Sequence, residues 1–205
     1  GAIAYAQTHV VQLPHTYVFA HFAKGGSVEK IDLPAFAEGL IPGKGSLLAE
    51  SWAAIPGNDS EHMRDLSQRL RENLSGLSRD GQYSGLLLQT PEDYLEDVAM
   101  QLSFRADSTD FMSALDSGSD WQPCLKALVS SWTAWQQRTG FEDACDIPGL
   151  HEALRRLHDP SVDKALDDIE SWHDTTVRHG ALARLLQALQ KANWAKRTDE
   201  GHLCD

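Results

Sequence analysis

Residues 119–138 read Ser-Asp-Trp-Gln-Pro-Cys-Leu-Lys-Ala-Leu-Val-Ser-Ser-Trp-Thr-Ala-Trp-Gln-Gln-Arg, and this stretch decides the fold class. Trp121, Leu125, Leu128, Trp132 and Trp135 recur at alternating steps of four and three, which places them on one stripe of an α-helix. Pro123 falls in the first turn, where a missing amide donor costs little. The spacing predicts a long helix opened by Ser119 and running towards Arg138, with the stripe turned inward. The seam is too short to demand a coiled coil.

The same period continues towards the C-terminus. Pro148 begins a helix with Leu150, Leu154 and Leu157 inside, ended by Pro160. Ser161 and Asp163 start the next, burying Val162, Leu166, Ile169, Trp172 and Val177, and Gly180 is expected to interrupt it. Leu182, Leu185, Leu186 and Leu189 then make a last amphipathic helix ending near Trp194, followed by a polar tail over 196–205.

Towards the N-terminus, Thr90-Pro91-Glu92-Asp93 is a helix start. Thr90 supplies a capping oxygen, Pro91 pre-sets the backbone and the acids favour the positive helix end. That helix carries Tyr94, Leu95, Val98 and Leu102 inward, and a separate shorter helix capped by Ser108 is expected to follow with Phe111, Met112 and Leu115. Earlier helices are predicted over Ala35–Leu40, Ser46–Ile55 and Ser60–Ser78, the last from Met63, Leu66, Leu70, Leu74 and Leu77. Gly85–Gln89 suits a brief strand or a buried connection.

Residues 1–33 differ. The β-rich runs Ile3–Leu13 and Thr16–Ala23 are broken by Pro14, and Gly25-Gly26 turns the chain into Ser27–Leu33. The expected fold is mainly α: an irregular bundle of about eight helices over residues 34–195, with a small N-terminal antiparallel β-hairpin or three-stranded sheet packed on it in a single domain.

Composition fits a globular chain, with 41% hydrophobic and 23% charged residues among 205. No run of eighteen apolar residues occurs, so no membrane span is expected. The formal charge is −12, from 30 acidic against 18 basic residues, and no basic cluster is apparent. Phosphate neutralisation drives nucleic-acid binding, so that partner class is disfavoured. Between Glu92 and Asp120 lie Glu92, Asp93, Glu96, Asp97, Asp107, Asp110, Asp116 and Asp120 against a single base, Arg105. Cys124, Cys145 and Cys204 show no paired spacing and favour a reducing, cytoplasmic setting. Ala4-Tyr5-Ala6-Gln7 resembles the end of a secretory signal, without the charged and apolar regions that normally precede one, and leaves the compartment open.

Several segments resemble reactive motifs and fail on spacing. Gly39-Leu40-Ile41-Pro42-Gly43-Lys44-Gly45-Ser46 has three residues between its first two glycines, and Gly45 separates Lys44 from Ser46, so it is no nucleotide loop. Amides at Gly45 and Ser46, with Lys44 beside them, still offer a place for an anion. His9, His15 and His21 would form a metal site only if the chain reversed at Pro14. His151 and His158 are two turns apart, too far to share an ion directly. Glu170-Ser171-Trp172-His173 is a single Glu-x-x-His step, where a di-iron bundle needs two. Gly81-Gln82-Tyr83-Ser84-Gly85 places serine one position late for a nucleophile elbow, and Cys145 sits beside acids that oppose a thiolate.

The six tryptophans are chiefly expected in the core, with Trp52 and Trp194, together with Glu92, Asp93, Glu96 and Asp97, as a partner surface. The function expected first is a non-catalytic helical interaction or regulatory module, a subunit of a larger assembly, whose partner is another protein. The alternative is a small-molecule- or metal-binding protein, with or without catalysis, whose pocket lies between sheet and helices near His9, His15, His21, Trp172 and His173. A third, an acidic mimic of nucleic acid, needs acids spaced like phosphates. No cofactor is specified by any of these patterns.

Overall fold

In the computed structural model the described residues are 7–13, 16–22, 33–74, 77, 90–139, 147–171 and 175–191. The fold is mainly helical. Among the described residues there are eight helices: α1 (Leu33–Leu40), α2 (Gly45–Ala54), α3 (Ser60–Glu72), α4 (Pro91–Ser117), α5 (Gln122–Thr139), α6 (Leu150–Arg155), α7 (Pro160–Ser171) and α8 (Thr175–Lys191). No helix among them is long and apolar enough to cross a membrane. Ahead of α1, the backbone pairs β1 (Gln7–Leu13) antiparallel with β2 (Thr16–Phe22) in the register Val10–Phe19. A third strand over Ser27–Leu33 falls outside the described residues except for Leu33, which opens α1.

Contacts gather into two compact units, Gly1–Ser103 and Phe104–Asp205, and α4 is continuous through the division. In the first unit, Leu40, Leu48, Met63, Leu66, Leu70, Leu95, Val98 and Leu102 are buried together with Trp52 and Tyr94. A Ser67–Ser103 contact lets α3 and α4 approach closely. Ser67 Oγ donates to the Ala99 carbonyl at 2.7 Å and lies 2.8 Å from Ser103 Oγ. In the second unit the seam read from residues 119–138 is the core. Phe104 packs on both Trp132 and Trp135 at ring-centroid distances of 5.2 Å. Trp121 is only half-buried and meets Phe111 edge-on.

Several boundaries differ from expectation for local reasons. Thr90 does cap α4, through Oγ1 to the Asp93 amide at 3.2 Å, but no second helix begins at Ser108. Ser108 is buried inside α4, and its hydroxyl is satisfied by the Phe104 carbonyl one turn back at 2.8 Å. α3 begins at Ser60, capped by Asp59, but Asn73 ends it near residue 72, so Leu74 and Leu77 are outside the helix. Asp120 rather than Ser119 serves the start of α5, accepting from the Gln122 amide at 3.3 Å. Gly180 does not interrupt α8. Asp159 caps α7 by accepting from the Val162 amide at 2.9 Å, two places before the expected Ser161.

Candidate functional site

Two grooves flank α8 in the second unit. The smaller, about 570 Å³, lies between α7 and α8. From α7 it takes Ser161, Lys164, Ala165 and Asp168, and from α8 Arg184, Gln187, Ala188 and Lys191. Both sets follow the steps three, one and three, so each is one stripe of its helix. Small residues stand at matching places, Ala165 and Ala188, and leave room between the longer polar side chains. Three cations share the groove with one carboxylate. Asp168 pairs with Arg184 at 3.6 Å, while Lys164 and Lys191 have no ion-pair partner among the described residues.

The larger groove, about 1210 Å³, runs between α5 and the end of α8. Leu125, Val129 and Leu189 are its buried apolar floor. Gln122, Ser130, Thr133, Gln137 and Gln190 give it a mostly uncharged polar rim, with Asp120, Lys126 and Lys191 at the margins. Gln190 Nε2 meets Thr133 Oγ1 at 3.4 Å across it.

A third cluster joins α6 and α7. His151 Nδ1 lies 2.9 Å from Glu170 Oε1, and Arg155 Nη2 reaches both Glu170 at 2.9 Å and Asp167 at 2.8 Å. The His151 hydrogen bond holds the Glu170 carboxyl below its usual range against the opposing effect of burial, and the charge and hydrogen bond of Arg155 add to the lowering. Burial works against the Arg155 charge, but the two carboxylates outweigh it and raise its pKa. His151 Nε2 is buried without a hydrogen-bond partner among the described residues. These contacts join α6 to α7 and make the cluster a strut between the two helices.

The residues singled out from sequence are dispersed. The anion place at the start of α2 is filled from within. Glu38 accepts from the Gly43 amide at 2.5 Å and the Gly45 amide at 2.8 Å, and these two bonds lower its pKa. Lys44 Nζ instead donates to Asn73 Oδ1 at 2.7 Å, and Ser46 is exposed in the first turn of α2 without capping it. Gly43 needs its positive φ of 83°, and a Cβ on Gly45 would stand 2.6–2.8 Å from Glu38 atoms. The loop that resembled a phosphate cradle is therefore a corner locked by the chain's own carboxylate.

Trp52 is a correction. It is buried, not at a partner surface, because its indole N–H finds Tyr94 Oη at 2.8 Å and its ring packs on Phe36. Asp97 is likewise buried, and Glu96 lies 3.6 Å from Arg71, whereas Glu92 and Asp93 are exposed. His9 stands opposite Ala20 and His21 opposite Thr8 in the backbone register. His15, Trp172, His173 and Trp194 lie outside the described residues. Among the described residues no group of three or more His, Cys, Asp or Glu side chains could hold a metal. The α7/α8 cations stand far apart in a chain of net charge −12 and form no basic cluster along the sequence. The signal was present: paired stripes at the same spacing, each centred on an alanine and together carrying three bases.

No protein-family model, curated protein or solved structure matches the chain.

Proposed function

We propose that the protein is a non-catalytic helical recognition module that takes a segment of a partner polypeptide in the α5/α8 groove. The groove itself carries the proposal. Its volume, about 1210 Å³, exceeds the ~300–1,000 Å³ typical of small-ligand pockets. It follows α5 from Gln122 to Gln137, a length of ~22 Å at 1.5 Å rise per residue, which suits an elongated occupant. An apolar floor with amide and hydroxyl rims offers burial and hydrogen bonds without a strong charge requirement.

The partner is another protein in this reading, and the module serves as a regulatory or assembly subunit. Among the described residues Leu33 is the sole large hydrophobic side chain that is exposed, so recognition relies on groove shape and hydrogen bonding more than on a broad apolar face. The pairing of β1 with β2 supports a further element of the proposal, a small N-terminal antiparallel hairpin.

The test is selection of binding peptides from a displayed random library, with affinities measured for wild type and for Ala134→Arg, which fills the exposed groove wall. Selected peptides are expected to lose about tenfold or more in affinity with the variant, as an obstructed groove loses contact along its length. Peptides that bind both proteins equally, or no saturable binder at all, would overturn the reading.

A further inference from the structure

The geometry points to a second binding site, which shares only Lys191 with the partner groove: the α7/α8 groove holds a compact dianion of the phosphate class. Its charge state supplies the argument. Arg184 is compensated by Asp168 at 3.6 Å. Lys164 and Lys191 line the same groove with no ion-pair partner among the described residues, leaving two positive charges unanswered. A phosphate monoester carries close to two negative charges at neutral pH and several strong acceptor oxygens. It would answer both ammonium groups, with Ser161 and Gln187 in the same groove as further hydrogen-bond donors.

Size and field narrow the ligand further. A groove of about 570 Å³ falls within the range that accepts a small organic molecule. A long polyanion is a poor occupant, because the chain carries a net charge of −12 and an extended ligand would traverse acidic surface beyond the cations. A compact ligand held within the groove meets the local positive charge and avoids most of that repulsion. The alanines at positions 165 and 188 matter here, since neither side chain extends into the space between the basic ones.

The experiment titrates the whole chain with inorganic phosphate and, separately, with phenyl phosphate, following heat and backbone amide shifts at low salt. Saturable binding is expected, with the largest shifts over residues 161–168 and 184–191. The double variant Lys164→Gln/Lys191→Gln should weaken it about tenfold or more, because charge-assisted hydrogen bonds are lost. Lys126→Gln, on the other side of α8, should leave it unchanged. Binding of both probes identifies free phosphate as a sufficient ligand. Binding of phenyl phosphate alone identifies an organic phosphate. No saturable binding of either probe by about 10 mM, an affinity too weak to be specific, overturns the site. So does equal binding by the double variant, or shifts centred elsewhere in wild type. Neither outcome depends on the peptide selection, whose Ala134→Arg variant lies outside this groove.

Discussion

The indole nitrogen of Trp52 donates to the phenolic oxygen of Tyr94 at 2.8 Å, and both rings are buried. This bond joins α2 to α4 across 42 residues of sequence. Tyr94→Phe keeps the ring but leaves the indole N–H buried without its acceptor, which should cost about 1–3 kcal/mol. Urea unfolding of the two proteins measures the difference, and an unchanged midpoint would remove the bond from the account of stability.

The same tyrosine predicts a limit at high pH. Burial, and secondarily the charge of Asp97, raise its pKa, with the Trp52 bond acting in the opposite direction. A raised folded value means that the neutral phenol stabilises the fold fully below the unfolded pKa of about 10, and that this contribution is lost as pH rises above it. Absorbance titration near the tyrosinate band should therefore show Tyr94 ionising late, together with loss of helical signal. Tyr94→Phe should abolish that late component.

Glu38 predicts the opposite sign at low pH. The amides of Gly43 and Gly45 lower its carboxyl pKa. Its contribution is present above the unfolded value of about 4.3 and is lost as pH falls through the lower folded value. Glu38→Gln should be less stable than wild type at neutral pH, and the gap should close on acidification. Thermal unfolding at several pH values reads this directly. A gap that persists at the lowest pH would assign the effect to packing.

At the α6–α7 strut, the His151 hydrogen bond is the largest single cause of the lowered Glu170 pKa, and the charge and hydrogen bond of Arg155 lower it further. Carboxyl carbon NMR should find Glu170 titrating below the usual range. His151→Gln and Arg155→Gln should each raise it. Because Glu170 is largely exposed, either change should alter stability by only ~0–1 kcal/mol.

Trp132 is fully buried against Phe104, and its indole nitrogen has no hydrogen-bond partner among the described residues. Trp132→Ala opens a core cavity and should cost about 3–5 kcal/mol. Trp132→Phe should cost far less, since no hydrogen bond is lost and an unsatisfied donor is removed. Chemical denaturation of both variants distinguishes the two contributions.

The helical class was legible in the Trp–Leu seam of residues 119–138, because a buried stripe leaves a 3.6-residue period. Thr90 was legible too, since a cap followed by proline and two acids is a local code. Ser108 was misleading because the hydroxyl that caps a helix also back-bonds within one, and the local sequence around Ser108 does not distinguish these uses. The distant partners stayed hidden for a plainer reason. Trp52 had weak apolar neighbours along the chain, and its true neighbour, Tyr94, is 42 positions away. Lys164 and Lys191 become a site only when α7 and α8 lie side by side.

The Glu38–Gly45 corner ties the identities of two positions together. A side chain at 45 would strike not only the carboxylate but also the Cα of Glu38, so repositioning the acid alone would not make room for it. Divergence at these sites should be correlated. A homologue that replaces the glycine should also have altered residue 38 and rebuilt the turn between the first two helices, whereas one that keeps the glycine remains free to retain the acid.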